Sequence, residues 1–160
     1  MIFVKIIKSS LNGKKRMSNF KESLKDGKKS EEAILSIVQK KYPTAERIQG
    51  YYKYYDIFIP EKNISIEVKK DVKSQETGNI VVEVEFNGYP SALSTTRADY
   101  WVFDDGECYI WIETDKLRYI CRLFKEIRTF IGNGDTKPKK AHLIPKGIIK
   151  KYSCLITKLP

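Results

Sequence analysis

The sequence is poor in the residues from which small proteins build covalently or metal-stapled frameworks. It has three cysteines, Cys108, Cys121 and Cys154, and a single histidine, His142. An odd cysteine count with spacings of 13 and 33 residues suits neither a disulfide framework nor a zinc ribbon. These read as ordinary thiols of a reducing compartment. Long apolar runs are also missing. The N-terminal MIFVKIIKSS is interrupted by Lys5 and is too short for a signal-peptide core. No segment approaches the roughly 18 apolar residues of a membrane-spanning helix. The expectation is a soluble cytoplasmic protein, or one in the host cytoplasm if viral, with no membrane partner. Nine glycines and six prolines exclude collagen-like and linker-like chains.

What remains is ordinary globular material of 160 residues, 41% hydrophobic and 31% charged, enough for one domain spanning 1–160. Its charge is uneven. Residues 1–30 hold 9 Lys+Arg and 2 Asp+Glu, and residues 131–160 hold 7 and 1, so both ends are strongly basic. The middle hundred holds 14 and 17, a net of −3 within a total of +10. The ends read as basic N-terminal (1–30) and C-terminal (131–160) extensions. Such ends either solvate the protein or grip phosphates around an acidic centre that keeps carboxylates for a metal.

Hydrophobic periodicity predicts an α/β chain. IFVKII at 2–7 is a short candidate strand. Ser30 caps a helix whose apolar stripe is Ile34, Leu35, Ile37 and Val38, and which Pro43 stops. Residues 51–60 and the strictly alternating 64–69 form a hairpin about Glu61-Lys62-Asn63, and 80–86 is a third strand. Strands at 100–103 and 108–112 follow. Thr114 then caps a helix from about 115 to 130, and the apolar patches AHLI and IIKKYSCLI each can add an edge strand.

The chemistry concentrates in the hairpin. In 64–69, Ile64, Ile66 and Val68 share one face and Ser65, Glu67 and Lys69 the other. The hairpin can set Asp56 across from Glu67, where two carboxylates repel unless a cation or proton lies between them. A shared Mg²⁺ is the simplest cation, lowering a water pKa and polarising a phosphate oxygen. Lys69 beside it can orient or deprotonate that water, or neutralise charge on the phosphate. On the first helix Glu31 falls within the apolar stripe and Glu32 outside it. Glu31 is either a helix-dipole residue or a further metal ligand. Glu83 and Glu85 share a face of the third strand, as a possible outer contact to the site or as solvated charge. Tyr51, Tyr52, Tyr54 and Tyr55 either stack on bases or pack the core or a dimer face.

Asp56, ten intervening residues, then Glu67-Val68-Lys69 resembles the signature of the PD-(D/E)xK nuclease superfamily, although Tyr55 stands where the motif has proline. GKKSE, with Glu31 opening the helix, is similar to archaeal Holliday junction resolvases of that superfamily. The stretch GNIVVEVEFNGYPSALSTTRADYWVF resembles small phage-type nucleases. The resemblance covers roughly 20–130 and implies a mixed central sheet flanked by helices, the restriction-endonuclease-like core of helix, three-strand meander, helix and strand. It implies Asp56 and Glu67 as metal ligands, helped by the Val68 main-chain carbonyl, Lys69 as catalytic lysine and Glu31 as the upstream acidic residue. Lys28, Lys29, Lys70, Thr95, Thr96 and Arg97 are the expected DNA contacts. The expectation is a Mg²⁺-dependent deoxyribonuclease, with Mn²⁺ as a substitute, acting on branched or junction DNA as a homodimer. The alternative is a non-catalytic DNA-binding protein that retains the fold.

Overall fold

The computed structural model describes residues 21–159 apart from Ser23 and Asn133. The candidate strand at 2–7 lies outside the described residues. The first helix, α1, covers residues 24–39. It then gives way to β1 (Glu46–Arg47), β2 (Ile57–Ile59) and β3 (Ile64–Lys70), the short α2 (Ser74–Thr77), β4 (Asn79–Phe86), β5 (Tyr89–Pro90) and a 3-10 turn. After these come β6 (Tyr100–Asp104), β7 (Cys108–Glu113), α3 (Thr114–Leu123), β8 (Arg128–Phe130), β9 (Lys139–Pro145), α4 (Lys146–Tyr152) and β10 (Leu155–Lys158). The class is α/β, as expected. No helix among the described residues is long and apolar enough to cross a membrane, and all three cysteines are free.

Two sheets form. The larger has the order β1-β2-β3-β6-β7-β10 and is mixed, since β6 runs parallel to β3 while the other pairs are antiparallel. The smaller has the order β5-β4-β9-β8. One face of the large sheet meets α1. Ile34 and Val38, one helical turn apart, pack there with Ile57, Ile66, Val68 and Val102. On the opposite face Trp101, Phe103, Ile110 and Ile112 pack against Ile80, Val82 and Ile144 of the small sheet and Leu117, Ile120 and Ile149 of α3 and α4.

The predicted β2–β3 hairpin is present, with Ile57 opposite Ile66 and Ile59 opposite Ile64. Its expected third strand is not. β4 leaves the large sheet and pairs with β9, and β6 takes the place beside β3. Trp101, Val102 and Phe103 of β6 are almost completely buried, which suits a strand covered on both faces. β4 instead alternates Ile80 and Val82 with half-exposed residues, the pattern of a strand with one wet face. The parallel β3–β6 pair needs a long crossover, and residues 71–99, with β4 in them, supply it.

Three further expectations change. Ser30 is no cap, because α1 is already under way at residue 24; its buried hydroxyl donates to Asp104 Oδ2 at 2.6 Å. A buried hydroxyl needs a partner, and the end of β6 provides one. α3 stops at Leu123 although Phe124 and Ile127 continue its spacing, because 128–130 pairs with the edge of β9 as β8. Tertiary pairing there overrides the helical period. Residues 131–160 are no extension either. β9 is interior to the small sheet, α4 buries Ile149 completely, and only β10 is an edge strand.

Ser30 ties α1 to β6, and removing its hydroxyl leaves the buried Asp104 carboxylate one partner short. Ser30→Ala is expected to lose about 1–2 kcal/mol in urea denaturation. Ser36→Ala, which deletes only an exposed bond to the Glu32 carbonyl, is expected to stay within about 0.5 kcal/mol of the parent.

Candidate active site

Alternation along β3 decides which side chains reach the site. Ile66 and Val68 point into the α1 core, so Glu67 and Lys69 project from the other face. Glu67 is buried, its side chain 8% exposed, and its Oε1 lies 2.6 Å from Lys69 Nζ. Lys69 is 40% exposed and its ammonium sits 5.7 Å from the centre of the Trp101 ring. The next residue beyond the Ile57–Ile66 pair is Asp56 on one strand and Glu67 on the other.

Asp56 precedes β2 rather than lying within a strand that begins at residue 51. Gly50 turns the chain with φ +75°, and Tyr52 packs edge-on against Tyr54 and Tyr55, so the stretch before Asp56 is not extended. Asp56 itself is tightly held. Its N–H donates to the Ile66 carbonyl at 2.9 Å and its carbonyl accepts from Ile48 N–H at 2.8 Å. Its Oδ2 accepts the Val68 N–H at 2.7 Å.

Burial first, and then the Glu67 charge, push the Asp56 carboxyl up to about 7, against the opposing pull of Lys69 and the Val68 N–H. Lys69 moves the other way. Burial alone would lower its pKa, but the Glu67 and Asp56 carboxylates outweigh it and hold the ammonium above its ordinary value. Lys69 is therefore a fixed positive charge and a hydrogen-bond donor.

These three residues line a cleft of about 600 Å³. Lys28 and Glu31 of α1 border it on one side, and Glu83 of β4 and Thr95 border it on the other. Glu31 is not at a helix start. It sits inside α1, and Arg47 of β1 donates to its Oε2 at 3.0 Å, both side chains being about one-fifth exposed.

The structure thus brings together Glu31, Asp56, Glu67, Lys69, Lys28 and Thr95. The other expected DNA contacts lie elsewhere. Lys70 points to the opposite face from Lys69 and sits 3.8 Å from Asp26, and Lys29 is at the same distance from that carboxylate. Thr96 is buried, donating to the Tyr54 carbonyl and accepting from Ala98 N–H, each at 3.1 Å. The Arg97 guanidinium covers the Tyr54 ring at 4.2 Å and lines a separate recess with Asp99 and Arg118. The Val68 main chain meets Asp56 through its N–H.

No family model, curated protein or solved structure matches this chain.

Two site residues go beyond the motif. Arg47 has no signal in the sequence; only the register of β1 on β2, with Arg47 opposite Ile57, brings it to Glu31. Glu83 carried a weak signal as one of two alternating glutamates. The bulge between Glu83 and Glu85 in the pairing with β9 separates them. Glu83 lines the cleft, where Lys139 Nζ lies 3.2 Å away and the Ser91 hydroxyl donates to it, whereas Glu85 pairs with Lys140.

The donor set fits a hard divalent ion of the Mg²⁺ type. Asp56 and Glu67 each commit one oxygen within the protein, and Mg²⁺ commonly takes one or two carboxylates and fills its shell with water and phosphate. No set of three or more His, Cys, Asp or Glu among the described residues is arranged to hold a metal unaided.

The raised Asp56 pKa gives a stability signature. The folded state holds this proton more tightly than the unfolded chain does, so its contribution is complete below about pH 4 and is lost as pH rises through about 7. Asp56→Asn keeps an acceptor for Val68 N–H and cannot ionise. Its advantage over the parent is expected to be near zero at pH 4 and to reach roughly 2 kcal/mol, or several degrees in Tm, by pH 8 in metal-free buffer. Thermal unfolding followed by circular dichroism across that range checks it, and an offset independent of pH would contradict it.

Proposed function

We propose that the protein is a Mg²⁺-dependent endonuclease that hydrolyses DNA phosphodiester bonds, with α1, β2, β3 and β6 as its PD-(D/E)xK-type core. The observation that carries this reading is the convergence of Asp56, Glu67 and Lys69 with Glu31 on one cleft of a protein whose net charge is +10. A binder of phosphates gains nothing from buried carboxylates beside its lysines, since they repel the ligand; a hydrolase needs them to hold a cation.

Asp56 and Glu67 would hold Mg²⁺, or Mn²⁺ in its place, with the Val68 main-chain carbonyl as a further donor. When bound, that ion supplies polarisation of a phosphate oxygen and a lowered water pKa. The protein supplies the rest. Lys69, kept protonated by Glu67, donates to water or to the phosphate and offsets negative charge that develops there. The Val68 N–H fixes the orientation of Asp56. Arg47 holds Glu31 at the cleft wall, and Lys28 and Thr95 are placed to meet phosphates entering it. Selectivity for branched or junction DNA, and action as a homodimer, rest on the family resemblance.

Nicking of supercoiled plasmid and cleavage of branched DNA test the proposal. The parent is expected to cleave with Mg²⁺ or Mn²⁺ and not with EDTA. Asp56→Ala, Glu67→Gln and Lys69→Met are each expected to slow cleavage by about 100-fold or more while DNA binding persists. DNA binding by the parent with no cleavage under any divalent ion would establish the non-catalytic alternative instead.

A further inference from the structure

The cleft continues into a second recess of about 370 Å³, and the two share Tyr51, Glu83, Pro90 and Ser91. Two exposed aromatic rings flank that recess. Tyr51 is 98% exposed and Tyr89 is 72% exposed. Neither is needed for packing. Tyr52, Tyr54 and Tyr55 pack on one another, with ring centres 5.0 and 5.2 Å apart, and Arg97 covers Tyr54. Tyr51 alone of that run is left out. Tyr89 follows the two-residue turn Asn87-Gly88, whose φ values of 50° and 81° make a tight hairpin between β4 and β5. That turn holds the ring on a short, defined support.

An aromatic ring at full exposure beside a phosphodiesterase cleft gains contact only from a flat partner with a free face. Bases within a duplex cover one another on both faces and have none to give. Bases in an unpaired strand do, and stacking on them is indifferent to sequence. The recess adjoins the cleft that Asp56 and Glu67 line, sharing Tyr51 and Glu83 with it, so a strand whose phosphate occupies that cleft has Tyr51 and Tyr89 along its onward path. The net charge of +10 suits a polyanion over a neutral aromatic ligand.

We propose that Tyr51 and Tyr89 form a stacking subsite for unpaired bases next to the scissile phosphate, and that the substrate is DNA with a single-stranded segment. This rests on the nuclease reading above and narrows its substrate class. Both rings are exposed, so their removal leaves the core intact.

The test is equilibrium binding in EDTA, by fluorescence anisotropy, of a blunt duplex and of the same duplex carrying a single-stranded thymidine extension. The parent is expected to bind the extended duplex about tenfold tighter. Tyr51→Ala and Tyr89→Ala are each expected to reduce that ratio about five- to tenfold, and Tyr51→Trp to preserve it. Equal affinities in the parent, or a ratio unchanged in both alanine variants, would overturn the subsite. Cleavage with Mg²⁺ of plasmid and of the extended duplex by the same preparations separates this outcome from the nuclease reading. Cleavage without a stacking preference removes the subsite and keeps the nuclease. The preference with neither DNA cleaved keeps the binding subsite and removes the nuclease.

Discussion

Two carboxyl groups, Asp56 just before β2 and Glu67 within β3, line one cleft, and much of the structure around them serves to hold them there. Left to themselves they would separate or share a proton. Asp56 is prevented from moving by three backbone contacts, to Ile66, Ile48 and Val68, two of which fix its main chain and one its carboxylate. Glu67 is buried within a strand paired on both sides, and its only charge partner among the described residues is Lys69 two positions along. The cost appears in the Asp56 carboxyl, driven up to about 7. A cation held between the two carboxylates would relieve that cost.

The double-faced character of β3 makes this possible. Ile66 and Val68 are locked into the α1 core, and burial of side chains of that size contributes about 1.5–3 kcal/mol each. That anchorage sets the opposite face, and hence Glu67 and Lys69, with little freedom. The same helix that covers Ile66 presents Glu31 and Lys28 to the cleft, and its Ser30 is tied to Asp104 at the far end of β6. On the other side β4, having left the large sheet, brings Glu83 and the hairpin that carries Tyr89. The crossover demanded by the parallel β3–β6 pair is thus also the second wall of the cleft.

Local patterns in the sequence were enough for the hairpin and for the side-chain direction of Glu67 and Lys69, because strict alternation over 64–69 leaves one possible face for each residue. The same register leaves Asp56 just before Ile57 and Glu67 just after Ile66. Long-range pairing was not legible. Nothing local says that β4 abandons β3 for β9, that 128–130 breaks a helical period to become an edge strand, or that the C-terminal thirty residues build both sheets. Ser30 looked like a helix cap because its neighbours suit one, while its actual partner is 74 residues away. Arg47 was invisible for the same reason. Lys70, Thr96 and Arg97 carry suitable chemistry, but alternation, burial and the Tyr54 ring turn them away from the cleft.

The central claim is that Asp56 and Glu67 are held together for a divalent cation. Calorimetric titration of the metal-free protein with Mn²⁺ at neutral pH measures this without substrate or activity. Saturable binding that Glu67→Gln weakens at least tenfold, and that lessens as pH falls below about 7 where Asp56 takes up its proton, is the predicted result. Absence of saturable binding in the parent, or equal binding by Glu67→Gln, would contradict the account.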